Sequence, residues 1–280
     1  MSLSASLPAL RCPLCALSLD ATPPVWRCGN GHSFDIAREG YVNLLPVQQK
    51  KSRDPGDSAD SVRARRAFLE AGHYQPLRDA VVALLRARVP AGGFDALLDI
   101  GCGEGYYTSA LMPLAGRVTG VDIAKPAVRL AARRFPGATW LVASAAALPL
   151  DDASQDVVTS LFSPLPVAEM ARVLRPGGLV LAVTPAPDHL WQIRESLFDS
   201  VRPHEPDKFL AGFADRFELL AREEVRAPLQ LSGTALADLL AMTPYVWKAR
   251  PERRAALERN PTFATEAAFA LLLFRLKPSA

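Results

Sequence analysis

Cys12-Pro-Leu-Cys15 and, twelve residues on, Cys28-Gly-Asn-Gly-His32 make a C-x2-C…C-x3-H pattern. Three thiolates and an imidazole on two tight turns are a tetrahedral donor set for zinc, and a two-residue spacer aims both thiolates of a knuckle at one ion. A redox C-x-x-C pair would not require the second pair. All four ligands come from protein, which leaves no position for a reactive water, so the expected role of Cys12, Cys15, Cys28 and His32 is structural. The fourth cysteine, Cys102, lies far along the chain and is no fifth ligand.

Ala96-Leu-Leu-Asp-Ile-Gly-Cys-Gly-Glu-Gly is the second constellation. An apolar strand runs through Asp99 into Gly101, Gly103 and Gly105, and a helix is expected from Tyr106. Glycines serve where the backbone turns sharply and a ligand must approach it closely. A dinucleotide fingerprint needs G-x-G-x-x-G, and the spacing here is G-x-G-x-G. The Lys and Ser/Thr of a phosphate-binding Walker loop are absent as well. Glu104 inside the loop would repel a pyrophosphate but suits the cationic amine of a methionine moiety, which indicates S-adenosylmethionine. Asp122 ends the next strand, twenty-three residues after Asp99, where a carboxylate can accept both ribose hydroxyls of a nucleoside. Ile123 would then lie against the adenine, with Ala143 and Ser144 at its edge.

These residues need a scaffold, and the chain offers one. Strands are expected at Val118–Asp122, Thr139–Ser144, Asp156–Phe162 and after Arg175-Pro-Gly-Gly, alternating with helices. That rhythm means a doubly wound parallel sheet with its ligand at the carboxyl ends of the strands. Further on come a helix over 188–201, strand-like segments at 217–225 and 229–231, a helix over 234–249 and a last strand near 267–275. The sum is an α/β fold of the class I methyltransferase kind: seven strands, the last antiparallel, with a small N-terminal zinc module. The expected divisions are a zinc module over 1–40, a basic connector loop and helix over 41–75, and a methyltransferase domain over 76–280. In the connector, Ser61 or Asp60 is the expected cap of a helix that Gly72 stops, and a second helix starts at Tyr74.

Composition sets bounds. The 280 residues are 49% apolar and 22% charged, an ordinary globular mix. No apolar run reaches the roughly 18 residues of a membrane span, and no secretory leader is visible, so a cytoplasmic enzyme without membrane attachment is expected. The net charge of +3 is uneven: residues 1–90 carry +4, 91–200 carry −3 and 201–280 carry +2. Lys50, Lys51, Arg53, Arg63, Arg65 and Arg66 cluster around the connector, where they are candidates for RNA phosphate contacts or for a solvated loop.

The acceptor should lie beyond the Asp156 strand, at Ser160-Leu-Phe-Ser-Pro-Leu-Pro. Adenine-amino enzymes carry Asn/Asp-Pro-Pro-aromatic there, and this chain does not. Carbon-5 pyrimidine methylation needs a cysteine nucleophile, but three cysteines are committed to metal and Cys102 sits in the glycine loop. A radical iron–sulfur motif is absent. Direct in-line transfer to nitrogen or oxygen is left, governed mainly by placement.

The zinc pattern resembles the bacterial 23S ribosomal RNA guanine-N1 methyltransferase family. So do Glu39-Gly-Tyr-Val-Asn-Leu-Leu-Pro, Ser52-Arg-Asp-Pro-Gly-Asp-Ser, Ala64-Arg-Arg-Ala-Phe-Leu-Glu-Ala-Gly-His-Tyr-Gln-Pro-Leu, the glycine loop, Thr184-Pro-x-Pro-x-His and Met242-Thr-Pro. The resemblance spans about residues 10–275. It implies methyl transfer to guanine N1 in a 23S rRNA hairpin, with the zinc module and basic loop holding RNA and a possible homodimer. It also implies that Tyr74 and His189 contact the cofactor beside the Gly101–Gly105 turn, Glu104 and Asp122. Phe162-Ser-Pro departs from the expected Ala-Pro, so this stretch does not assign which guanine of the hairpin is modified. Spacing does not choose a base for the N1 proton among Asp188, His189 and Glu104. Stabilisation of an enolate-like guanine by Arg38 or Arg66 is the other route. A small-molecule methyltransferase, or a zinc-ribbon RNA adaptor that only senses S-adenosylmethionine, are the rival readings.

Overall fold

The computed structural model describes residues 9–50, 52 and 54–278. In chain order the strands and helices are β1 (Leu19–Asp20), β2 (Val25–Cys28), β3 (Ser33–Asp35), β4 (Tyr41–Asn43), α1 (Ala59–Glu70), α2 (Gln75–Arg86), β5 (Phe94–Ile100), α3 (Tyr106–Leu111), β6 (Ala115–Asp122), α4 (Lys125–Arg134) and β7 (Thr139–Val142). There follow β8 (Gln155–Leu161), α5 (Val167–Val173), β9 (Leu174–Pro185), α6 (Trp191–Leu197), α7 (Leu210–Ala214), β10 (Phe217–Ser232), α8 (Gly233–Met242), α9 (Tyr245–Lys248), α10 (Pro251–Glu258) and β11 (Thr262–Leu276).

The main sheet has the order β10-β11-β9-β8-β5-β6-β7-β4. β5, β6, β7, β8 and β9 run parallel, and β11 is antiparallel to both β9 and β10. The seven expected strands are therefore present, with the expected antiparallel β11. An eighth joins them: β4, from the stretch read as connector, pairs in parallel with β7, Tyr41 opposite Trp140. Three residues with no alternating pattern gave no strand signal of their own; the open edge of β7 makes them one.

Both faces of the sheet are covered, which is why its central strands read as unbroken apolar runs. Leu97, Val157 and Leu181 face a core shared with α1, α2, α6 and α8. Leu98, Val158 and Ala182, one position on, face a second core that contains Met170 and Val173 of α5 and Phe213 of α7. Leu10, Cys12, Leu19, Trp26 and Cys28 of the front segment belong to that same second core. The zinc segment thus shares a core with the sheet. Backbone bonds stitch it down: Arg11 N donates to Pro149 O at 3.1 Å, and Asp151 N to Ala9 O at 3.0 Å. Arg11 pairs with Asp151 at 2.9 Å, and Arg172 ties Asp152 and Glu169, each at 2.7 Å.

Several boundaries move. Ser58 caps α1, its Oγ accepting from Ser61 N at 3.1 Å, so the helix begins before Asp60 and Ser61. The two short strands expected near 217–231 are one, since the Pro228 position still pairs with Glu266 in the β10–β11 ladder. The expected helix over 234–249 is broken into α8 and α9 at Thr243-Pro244, because the residue before a proline is pushed out of the helical region.

Candidate active site

Cys12, Cys15, Cys28 and His32 offer ligand atoms all within 4.8 Å of one another. Cys15 Sγ lies 3.6 Å from Cys28 Sγ, and His32 Nδ1 lies 3.5 Å from Cys12 Sγ and 3.4 Å from Cys28 Sγ. Edges of about 3.4–3.8 Å are what a tetrahedron at ordinary zinc–sulfur and zinc–nitrogen distances requires. The donor set therefore fits one zinc ion, with no ligand position left over.

The second site is built at the carboxyl ends of β5, β6 and β8. After Ile100 the chain folds back on β6, with the amides of Gly101 and Cys102 both donating to Val121 O, at 2.7 and 3.1 Å. Gly101 has φ +72, and a Cβ there would stand 2.3 Å from Ser163 Cβ. Gly105 caps α3 at φ +84, and a Cβ there would stand 2.9 Å from the Trp140 ring. Both positions exclude a side chain twice over, by conformation and by space. Asp122 receives Gly103 N on Oδ2 at 2.9 Å and Ala124 N on Oδ1 at 2.8 Å, which aims its carboxylate at the loop. Burial raises its pKa while the two amides oppose the rise. Ile123 packs against the cluster that contains Trp140 and Cys102, Ala143 N donates to Asp122 O at 3.1 Å, and half-buried Ser144 follows.

Asp99 is placed differently from these. It is buried, and its two oxygens accept Thr108 Oγ1 at 2.5 Å and Thr159 Oγ1 at 2.7 Å. Burial pushes its pKa up to about 6. It ties α3 and β8 to β5 beneath the glycine turn. Glu104 is buried too, and burial raises its pKa against the pull of Arg65. Tyr107, which the sequence reading passed over, has a buried hydroxyl with no hydrogen-bond partner among the described residues. Its charge environment includes Glu104, Tyr74 and Arg65. A glycine cradle, an acid at its bend and an orphaned hydroxyl fit the methionine end of S-adenosylmethionine, with Asp122 fitting its ribose.

Buried rings cluster behind Phe162, at the end of β8. Buried Tyr74 meets Phe269 at 4.9 Å and His189 at 6.5 Å between centroids, and His189 meets Phe269 at 5.0 Å. His189 Nδ1 lies 2.8 Å from Ala268 O, and burial lowers its pKa to about 3, so it is neutral at pH 7. Asp188 points elsewhere: Arg226 grips it at 2.8 and 3.2 Å and holds its pKa below the usual carboxylate range. Arg38, read as a cation for the acceptor, is exposed.

The basic residues of the connector divide. Lys51 and Arg53 lie outside the described residues. Lys50 is exposed, Arg63 pairs with Asp60, and Arg66 donates to Glu70 at 3.1 Å. Arg65 pairs with Asp57 and turns inward: its Nη1 lies 3.7 Å from where a Gly103 Cβ would be. Burial works against its charge, but Asp57 and Glu104 raise its pKa. Composition alone counted Arg65 with the exposed cations; the packing of α1 against α4 turns it to the cofactor loop.

Residues 10–53 match the profile of the RlmA N-terminal zinc ribbon, and residues 98–182 match a methyltransferase domain. A 23S rRNA (guanine(748)-N(1))-methyltransferase of Streptomyces fradiae is 38% identical over 250 residues, 88% of each chain. The chain belongs to the 23S rRNA (guanine-N1)-methyltransferase family. A Bacillus subtilis protein named as a candidate member is 35% identical over 89% of this chain and 90% of its own. Among solved structures, a candidate methyltransferase of Bacillus halodurans, 19% identical, superposes with a TM-score of 0.51 over 71% of this chain and 99% of that one. That likeness is of fold. Membership makes S-adenosylmethionine and structural zinc the family's two cofactors, matching the two donor sets above. No helix among the described residues is long and apolar enough to cross a membrane.

Proposed function

We propose that this protein transfers a methyl group from S-adenosylmethionine to N1 of a guanine in a 23S ribosomal RNA hairpin. The observation that carries the reading is likeness over 88% of the chain to the S. fradiae enzyme named for that reaction, together with the family's zinc ribbon at residues 10–53. A small-molecule enzyme would have no use for the zinc ribbon at residues 10–53.

When bound, S-adenosylmethionine would supply an electrophilic methyl group on a sulfonium, and the N1 proton would pass to a base or a water path. The chain's own residues do the rest by placement. Glu104, with the Tyr107 hydroxyl, holds the amino-acid end. Asp122 holds the ribose hydroxyls, and Ile123, Ala143 and Ser144 flank the adenine. Gly101, Gly103 and Gly105 let backbone approach, while Asp99 positions the turn from below. Tyr74 and His189 close the pocket near the transferred group. Arg65 balances Glu104 and Asp122, so two carboxylates can share one buried site. Of the base candidates, Asp188 is the poorest, because Arg226 holds it ionised and occupied. His189 is a weak base too, since the burial that keeps it neutral disfavours the imidazolium that accepting the proton would form.

The zinc ribbon and the exposed Lys50, Arg63 and Arg66 hold RNA on this reading, and Lys51 and Arg53, adjacent to Lys50 in sequence, are proposed to share that role. The protein works where ribosomal RNA is made, in the cytoplasm, and paired chains would widen the RNA-binding cleft. Methylation at N1 blocks the Watson–Crick edge, so reverse transcription of 23S rRNA from cells with the gene stops at one hairpin guanine. Loss of that stop on deletion, and its return on complementation, is the expected result. An unchanged stop pattern on deletion would favour the small-molecule rival.

A further inference from the structure

Phe162, the first residue beyond β8, is 44% exposed at the strand end nearest the glycine loop. Its backbone is left-handed, φ +56, a conformation that a side chain with a Cβ disfavours. Glycine or asparagine would relieve that conformation, and a polar residue would relieve the exposure. Both costs are instead held in place by the surroundings. Phe162 N donates to Val183 O at 3.0 Å. The next residue, Ser163, shares a 2.7 Å bond with Ser160 Oγ and donates to Ile100 O at 2.7 Å. Ser163 is also the side chain that a Cβ on Gly101 would strike. The segment carrying Phe162 is thus braced directly against the cofactor loop. Behind it, fully buried Phe269 meets Phe162 at 5.5 Å between centroids and also touches Tyr74 and His189. Backbone strain of this kind clusters at active sites and ligand clamps.

We propose that Phe162 is the stacking platform for the acceptor base, holding the unstacked guanine beside the cofactor loop with its N1 edge turned to the transferred methyl group. The proposal rests on the reading of guanine N1 as acceptor and adds the residue that seats it. Unstacked RNA bases are held chiefly by aromatic faces, and a braced ring needs no ordering when the base arrives.

The test uses the full-length protein, a transcript of the 23S hairpin and labelled S-adenosylmethionine. Phe162→Ala and Phe162→Gly are expected to raise KM for the hairpin about tenfold or more, the range of one lost base stack. Calorimetric affinity for S-adenosylmethionine stays unchanged in both. Phe162→Tyr and Phe162→Trp retain KM within a few-fold. Phe162→Gly removes the left-handed strain, so a folding defect does not explain its loss, and its urea midpoint at or above that of Phe162→Ala supports this. With 2-aminopurine in place of the methylated guanine, binding changes the fluorescence less in Phe162→Ala than in wild type. A wild type that methylates the hairpin, with a Phe162→Ala KM unchanged, overturns the platform alone. A wild type that leaves every guanine of the hairpin unmethylated overturns the functional reading and the platform with it.

Discussion

Buried Glu104 and half-buried Asp122 stand where the amine and the ribose hydroxyls of a bound cofactor would meet them, and desolvation raises the pKa of both. Asp122→Ala and Glu104→Gln should each weaken S-adenosylmethionine binding by roughly 10- to 100-fold, the cost of one or two lost hydrogen bonds to a charged group. Titration calorimetry measures this directly; undiminished affinity in both variants would contradict the site. His204 gives a residue-scale prediction about pH. Its Nε2 lies 3.1 Å from Tyr245 Oη, and burial lowers its pKa to about 4. A histidine depressed in the folded state binds its proton more readily when unfolded, so its contribution is present above pH 6.5 and is lost as pH falls towards 4. His204→Gln should therefore lose less stability than wild type between pH 7 and 4.5, by about 2 kcal/mol. Urea midpoints at the two pH values decide it, and equal losses would show that His204 is not held neutral.

At the scale of elements, the glycine turn and the segment after β8 act as one unit. Gly101→Ala should abolish cofactor binding and destabilise the fold, because it meets Ser163. Adding Ser163→Gly removes that clash but leaves an alanine at φ +72, which still costs about 1–2 kcal/mol. Partial, not full, recovery of the melting temperature is the expected result; full recovery would show that φ carries no cost there. This contact also marks where sequence reading stops. The strand-turn-helix around Gly101 was legible because apolar run, turn glycines and helix start are neighbours in sequence. The zinc ligands were legible for the same reason. Tyr107, Ser163 and the inward turn of Arg65 were not, since each owes its role to a residue on another element. β4 was missed because a three-residue edge strand is defined by its neighbour β7 and not by its own pattern. The break at Thr243-Pro244 was a local signal, present in the chain but outweighed by the apolar spacing around it.

For the whole molecule, the shared core has a consequence for zinc. Cys12 and Cys28 pack in the same core as Leu98, Val158 and Ala182 of the sheet, so stripping the metal should lower the stability of the entire chain. Calorimetry with and without a chelator should show one transition shifted to lower temperature. Two separate transitions, the later one unmoved, would mean that the ribbon melts alone. The central claim, however, joins ribbon, sheet and cofactor loop in one reaction. It is tested most directly by incubating the purified protein with tritium-labelled S-adenosylmethionine and protein-free 23S rRNA from cells lacking the gene, then digesting the RNA to nucleosides. The account predicts label in 1-methylguanosine, and much less of it with the Asp122→Ala variant at a subsaturating S-adenosylmethionine concentration. Label in another nucleoside, or its absence from RNA while S-adenosylmethionine still binds, would contradict it.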